Sequence, residues 1–144
     1  MGLDNEKLLL QLSRLEEFLS RIRNIQKEKW NEINQTALER LLQVAVEECL
    51  NIGNHLISGV GLRRADTYRE VFKVLEEAKI IPAELSKELQ QFATFRNRLV
   101  HLYWKISDEE FKAELEKISG LTNFAKKVTA YLNQKKKEAA KKNK

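Results

Sequence analysis

The chain has 144 residues, enough for one domain with its own core. With 42% hydrophobic and 33% charged residues, five glycines and one proline, it is poor in the turn formers a sheet protein needs and reads as all-α. The formal charge is +5, but lysines crowd the segment from Lys135 onward against one acid, Glu138. The remaining body is therefore close to neutral, and the overall basicity alone does not indicate a nucleic-acid partner.

A lone cysteine, Cys49, excludes an internal disulfide, and no Cys/His zinc spacing is present, so a reducing cytoplasm is the expected compartment. The N-terminus is acidic where a signal peptide is basic. No apolar run approaches the roughly 20 residues of a membrane span, and no membrane association is expected.

Asp4 or Asn5 caps a first helix reaching about Lys29, with Leu8, Leu12, Leu15, Phe18, Leu19, Ile22 and Ile25 at spacings of three and four. A second helix starts near Asn31 or Asn34. Its stretch from Val44 to Ile57 is apolar on more than one face, which predicts burial between neighbours or at a subunit contact. Gly59-Val60-Gly61 and Arg63-Arg64 form a loop. Asp66 or Thr67 then caps a short helix with Tyr68, Val71, Phe72 and Leu75 inward.

Pro82 marks the start of the next helix, which carries Arg96-Asn97-Arg98-Leu99-Val100-His101-Leu102-Tyr103-Trp104 toward its end. Ser107 followed by Asp108, Glu109 and Glu110 caps a last helix through Phe111, Leu115, Ile118, Leu121, Phe124 and Val128, with Gly120 as an interruption or kink. The expected architecture is one domain over residues 1–144, an up-and-down bundle of four long helices plus one short helix. A flexible Lys-rich tail is expected from about residue 134.

The stretch from Arg96 to Trp104 is the densest window in groups that bind phosphate, move protons or stack on bases. Nucleotide-binding glycine motifs, a phosphate loop, a Gly-x-Ser-x-Gly elbow and the Glu-x-x-His di-iron signature are all absent from the sequence, so metal chemistry is not expected and no cofactor is called for.

At about 100° per residue, Arg96 and Tyr103 fall on one line of a helix, and Asn97, His101 and Trp104 on another. Arg96 and His101 then diverge by roughly 140° and cannot grip one phosphate from a straight helix. Either the helix ends or bends around His101, or a second copy supplies the facing group across a two-fold axis. An arginine fork with a histidine titrating near neutrality suits metal-free RNA cleavage, in which the 2′-hydroxyl is deprotonated and attacks the adjacent phosphate. Asn97 could orient either partner.

Arg96-Asn97-x-x-x-His101-x-Tyr103 resembles the signature of the HepT-like toxins of the HEPN superfamily, the helical partners of minimal nucleotidyltransferases (MNT). The helix from Leu42 to Ile57 and the segment Thr67-Tyr68-Arg69-Glu70-Val71-Phe72 are also similar to that family's second and third helices, although Asn51 stands where the family often has Asp.

The resemblance implies a HEPN-like fold and a homodimeric, metal-independent endoribonuclease toxin of a type II toxin-antitoxin system. In it Arg96 and His101 are catalytic and Asn97 supports them. It further implies neutralisation by AMP transfer to Tyr103 from an MNT antitoxin. Arg98, Arg63 and Arg64 are candidate RNA contacts. A competing reading makes the chain a noncatalytic HEPN subunit that docks a nucleotidyltransferase or a nucleotide. Structural roles compete as well: Arg96 could pair with Glu47 or Glu48, Tyr103 and Trp104 could be core aromatics, and His55 reads as structural.

Overall fold

The computed structural model describes residues 2–101 and 105–142, and all regular structure within them is helical. Six helices follow in order: α1 (Asn5–Gln26), α2 (Glu32–Val60), α3 (Tyr68–Glu77), α4 (Ala83–Val100), α5 (Asp108–Glu116) and α6 (Ser119–Lys142).

Their starts are chemical. Asp4 Oδ1 accepts from the Lys7 N–H at 3.1 Å and Asn31 Oδ1 from the Asn34 N–H at 2.8 Å, each satisfying an amide that has no partner inside the helix. Thr67 does the same for Glu70 at the head of α3, and Pro82 occupies the N-cap of α4. Ser107 and Glu110 form a reciprocal capping box at α5. The end of α2 is set by Gly61, whose φ of 82° lets both its own N–H and that of Leu62 return to the Ile57 carbonyl.

The last helix expected from the sequence is two helices. Lys117 and Ile118 turn tightly onto Glu114 and Leu115, and α6 starts again at Ser119. Gly120 sits just inside that start, against α4. A Cβ there would lie 3.6 Å from Phe92 and 2.8 Å from Glu88 Oε2, so the small residue lets the two helices close. From residue 133 to residue 142 the lysine-rich segment continues as exposed turns of α6.

α1 pairs with α2 and α3 with α4, while α6 packs on α1, α2 and α4. The leucine stripe Leu8, Leu12, Leu15, Leu19 and Ile22 is buried against α2, each side chain contributing about 1.5–3 kcal/mol of transfer free energy. Phe72 and Phe124 meet edge to face at 5.8 Å, joining α3 to α6. This core fixes α4 on three sides and leaves its C-terminal turn at the surface. No helix among the described residues is long and apolar enough to cross a membrane.

Candidate functional site

The last turn of α4 presents Arg96, Asn97 and Arg98, and three other helices decide what each does. Glu47 on α2 lies opposite Arg96. Its Oε2 accepts from Arg96 Nη2 at 2.7 Å and from Nε at 2.9 Å, and Gln43 Nε2, one turn earlier, donates to the same oxygen at 3.1 Å. Asn97 Oδ1 accepts from Arg96 Nη1 at 3.2 Å.

Tyr68, the first residue of α3, supplies the fourth side, with the guanidinium carbon 5.3 Å from its ring centre. The sequence expectation placed Tyr68 inward, but it is 45% exposed. At the N-terminus of α3 its ring lies against Arg96 rather than in the core.

Arg96 is thus a half-buried cation, its side chain 18% exposed against 30% for Glu47. A guanidinium has five N–H donors. Three are committed here, two to Glu47 and one to Asn97, leaving two without a partner among the described residues. The pairing with Glu47 that the sequence offered for Arg96 is therefore present, and it orients the fork without exhausting it.

α4 ends at Val100. His101 follows in extended backbone, φ −95° and ψ 108°, with an exposed side chain. The helix does not carry His101 along its expected line, and the first of the two solutions to the 140° divergence applies: the helix stops before the histidine. Tyr103, with the expected AMP-accepting role, and Trp104 lie outside the described residues.

Arg98 crosses from α4 to the start of α5. Nη1 donates to Glu110 Oε2 at 2.7 Å and Nη2 to the Lys105 carbonyl at 3.0 Å, so one side chain joins the last turn of α4 to the residues leading into α5. The Arg98 guanidinium, with help from the Ser107 amide, holds the Glu110 carboxyl below its usual range.

Of the loop arginines, Arg63 engages its fork with Glu77 at 2.8 and 2.9 Å, while Arg64 is exposed. His55 lies away from this group and ties α2 to the start of α1: Nδ1 is 3.2 Å from Gln11 Oε1, and Nε2 accepts from the Asp4 N–H at 3.4 Å. Among the described residues no cluster of His, Cys, Asp or Glu could hold a metal ion.

The structure therefore joins Arg96, Asn97, Glu47 and Tyr68 in one network and sets His101 just beyond it at the helix end. Glu110 and Tyr68 are the participants that sequence reasoning did not assign. The signal for Glu110 was its place in the capping box, three residues after Ser107; Tyr68 carried none.

A family model described as Ribonuclease HepT-like matches residues 8–128, a span that includes Arg96, Asn97 and His101. The tRNA nuclease HepT of Aphanizomenon flos-aquae is 29% identical over 99 residues, covering 68% of this chain and 67% of that protein. Among solved structures, the Bacillus subtilis cytosolic protein YutE, described as of unknown function, superposes with a TM-score of 0.81 at 24% identity, over 94% of this chain and 95% of that one. The tri-AMPylated Shewanella oneidensis HEPN toxin in complex with MNT antitoxin gives 0.80 at 20% identity, over 85% and 96%. The expected HEPN fold is thereby established, and with the family model spanning most of its length the chain belongs to the HepT-like ribonuclease family.

Proposed function

We propose that this protein is a metal-independent endoribonuclease toxin of a type II toxin-antitoxin system. The observation that carries the reading is the state of Arg96: held at 2.7 and 2.9 Å by Glu47, yet with two N–H donors left to meet a phosphate, one turn from an exposed histidine. His101 takes the proton of an RNA 2′-hydroxyl, whose oxygen attacks the adjacent phosphorus. The P–O5′ bond breaks and the departing O5′ takes a proton from water, giving a 2′,3′-cyclic phosphate and a 5′-hydroxyl end; the hydroxide left takes the proton back from His101. Arg96 neutralises the charge that builds on the non-bridging oxygens, and Asn97 fixes the guanidinium plane. Arg64, exposed in the loop before α3, serves as an outer RNA contact.

By the family resemblance the cleft is shared by two copies in a homodimer, each bringing its own Arg96 and His101. The Shewanella toxin is AMPylated and bound to an MNT antitoxin. By that likeness Tyr103 is the residue to which a partner nucleotidyltransferase transfers AMP, adding negative charge that would compete with RNA phosphate.

The test is cleavage of RNA by wild type and His101→Ala in excess chelator. Wild-type cleavage lost in His101→Ala is expected; equal cleavage by both, or none by either, removes the reading. Intact mass after incubation with ATP and the partner checks Tyr103, and an adduct that persists in Tyr103→Phe rules that site out. The second reading, a noncatalytic subunit that docks a nucleotidyltransferase, draws on the partial occupation of the Arg96 fork by Glu47. Inactivity on RNA with stable, nucleotide-dependent complex formation would favour it.

A further inference from the structure

On the other side of α4 from the Arg96 network lies an open cavity of about 370 Å³ between α3, α4 and the end of α5. Its wall includes Arg69 of α3, Gln91, Thr94 and Arg98 of α4, and Glu114 and Lys117 of α5 and its C-cap. Arg98 is committed to Glu110 and to the Lys105 carbonyl, with its guanidinium 5.9 Å from the Phe95 ring centre. The side chains of Arg69 and Lys117 are exposed and have no hydrogen bond or ion pair among the described residues.

Glu114 is the opposite case. It is only 9% exposed, and its Oε1 is buried without a hydrogen-bond partner. A buried carboxylate oxygen left in that condition destabilises the fold, more so when charged. The cavity thus brings together two cations with no hydrogen-bond or ion-pair partner among the described residues and a carboxyl whose Oε1 is buried beneath its wall.

We propose that this cavity is an RNA subsite for a nucleotide flanking the scissile phosphate, with the phosphodiester on Arg69 and Lys117 and an N–H edge of the base turned toward Glu114. A single nucleotide unit supplies both complements, an anion and a base N–H, and splayed bases are hydrogen-bonded on those edges in single-stranded RNA recognition. Position agrees with the chemistry. Arg98 of the cavity wall lies in the last turn of α4, and His101 is the first residue beyond that helix, so the two are neighbours along the chain. Desolvation by a bound base strengthens each of these contacts.

The inference rests on the ribonuclease reading for its substrate, and the test separates the two. A short fluorescent single-stranded RNA is titrated against full-length His101→Ala, alone and with Arg69→Glu/Lys117→Glu or Glu114→Leu added, at several salt concentrations. Cleavage by the wild type is measured in parallel. The charge-reversed protein should bind roughly tenfold more weakly, with a salt slope reduced by about 0.7 to 1.4. Glu114→Leu, which keeps the inner wall packed, should weaken binding about threefold or more with little change in slope. Affinity retained within twofold in both variants, while the wild type cleaves RNA, overturns the subsite and leaves the ribonuclease reading standing. Affinity lost in the variants of a protein whose wild type does not cleave upholds the subsite and removes the ribonuclease reading.

Discussion

Arg98 and Glu110 meet at 2.7 Å across the segment that separates α4 from α5, and Arg98 also holds the Lys105 carbonyl at 3.0 Å. Glu110 is itself fixed as the third residue of α5 by its capping box with Ser107. Three local devices, a helix end, a cap and an ion pair, therefore tie down the flanks of the one stretch that carries His101.

Arg98→Ala should slow RNA cleavage by on the order of ten- to a hundredfold by loosening the placement of His101. Lysine should rescue little, because it cannot reach the carboxylate and the carbonyl with one planar group. Hydrogen exchange of the amides around residues 105–110 is the accompanying readout, and unchanged protection with unchanged rate would dismiss the clamp. The pair also predicts acid sensitivity. Glu110 is held below its ordinary range, so its contribution is present above the unfolded value of about 4.3 and is lost as pH falls through its lower folded value. In Arg98→Ala that acid-side loss should shrink to the smaller part that the Ser107 hydrogen bonds sustain.

Glu47 and Arg96 make a prediction whose sign separates two roles. If the carboxylate orients the guanidinium, Glu47→Gln lowers the cleavage rate by about tenfold, since a neutral amide accepts less strongly and adds a donor facing a cation. If it competes with RNA phosphate, the same change raises the rate. The three committed and two remaining donors favour orientation, and single-turnover cleavage at saturating enzyme decides.

Gly53 tests how packing reaches the site. It lies mid-α2 with Val71 of α3 against it, and a Cβ built there would come within 2.5 Å of Val71 Cγ1. Alanine in a helix interior gains about 1 kcal/mol of propensity, whereas overpacking typically costs about 1–3 kcal/mol. Val71 is branched at Cβ and stiff at χ1, so it cannot step aside cheaply. Gly53→Ala should therefore lower Tm, and by pushing α3 outward it should move Tyr68 off the Arg96 guanidinium. A raised Tm would show that α3 yields without strain.

Element existence and caps were legible because they are written in adjacent residues. Asp4, Asn31, Thr67, Pro82 and Ser107 each start a helix where cap chemistry predicts it, within the alternatives offered. Two helix ends were not. The apolar spacing through Leu115, Ile118 and Leu121 runs unbroken over the α5–α6 turn, so periodicity could not reveal it. Past Val100 no glycine or proline announces that α4 stops. Within the site, Arg96, Asn97 and His101 stood out by local density, but the choice of Glu47 as partner depends on residues 49 apart in sequence and on the α2–α4 contact. Arg98, read as an RNA contact, has its strongest partners across the α4–α5 connection, a placement that only the fold supplies.

Glu114 links stability to the proposed subsite. Burial raises its carboxyl above the ordinary range, against the opposing pull of Lys117 and Arg98. For a carboxyl shifted upward the fold prefers the protonated form. Its favourable contribution is then fully present below the unfolded value near 4.3 and is lost as pH rises through the folded value. At neutral pH the ionised group therefore weakens the fold. Glu114→Leu should raise Tm at pH 7.5 by about 2–4 °C, the shift expected of roughly 1 kcal/mol in a chain of this size. The gain should shrink on acidification toward pH 4. The same substitution is expected to weaken RNA binding, so the variant would be more stable and a poorer RNA binder. A residue that costs stability and gains affinity for RNA is what a binding position requires. A Tm that falls or stays level at pH 7.5 would mean that the wall of the cavity already satisfies Glu114, and the case for a base contact there would go with it.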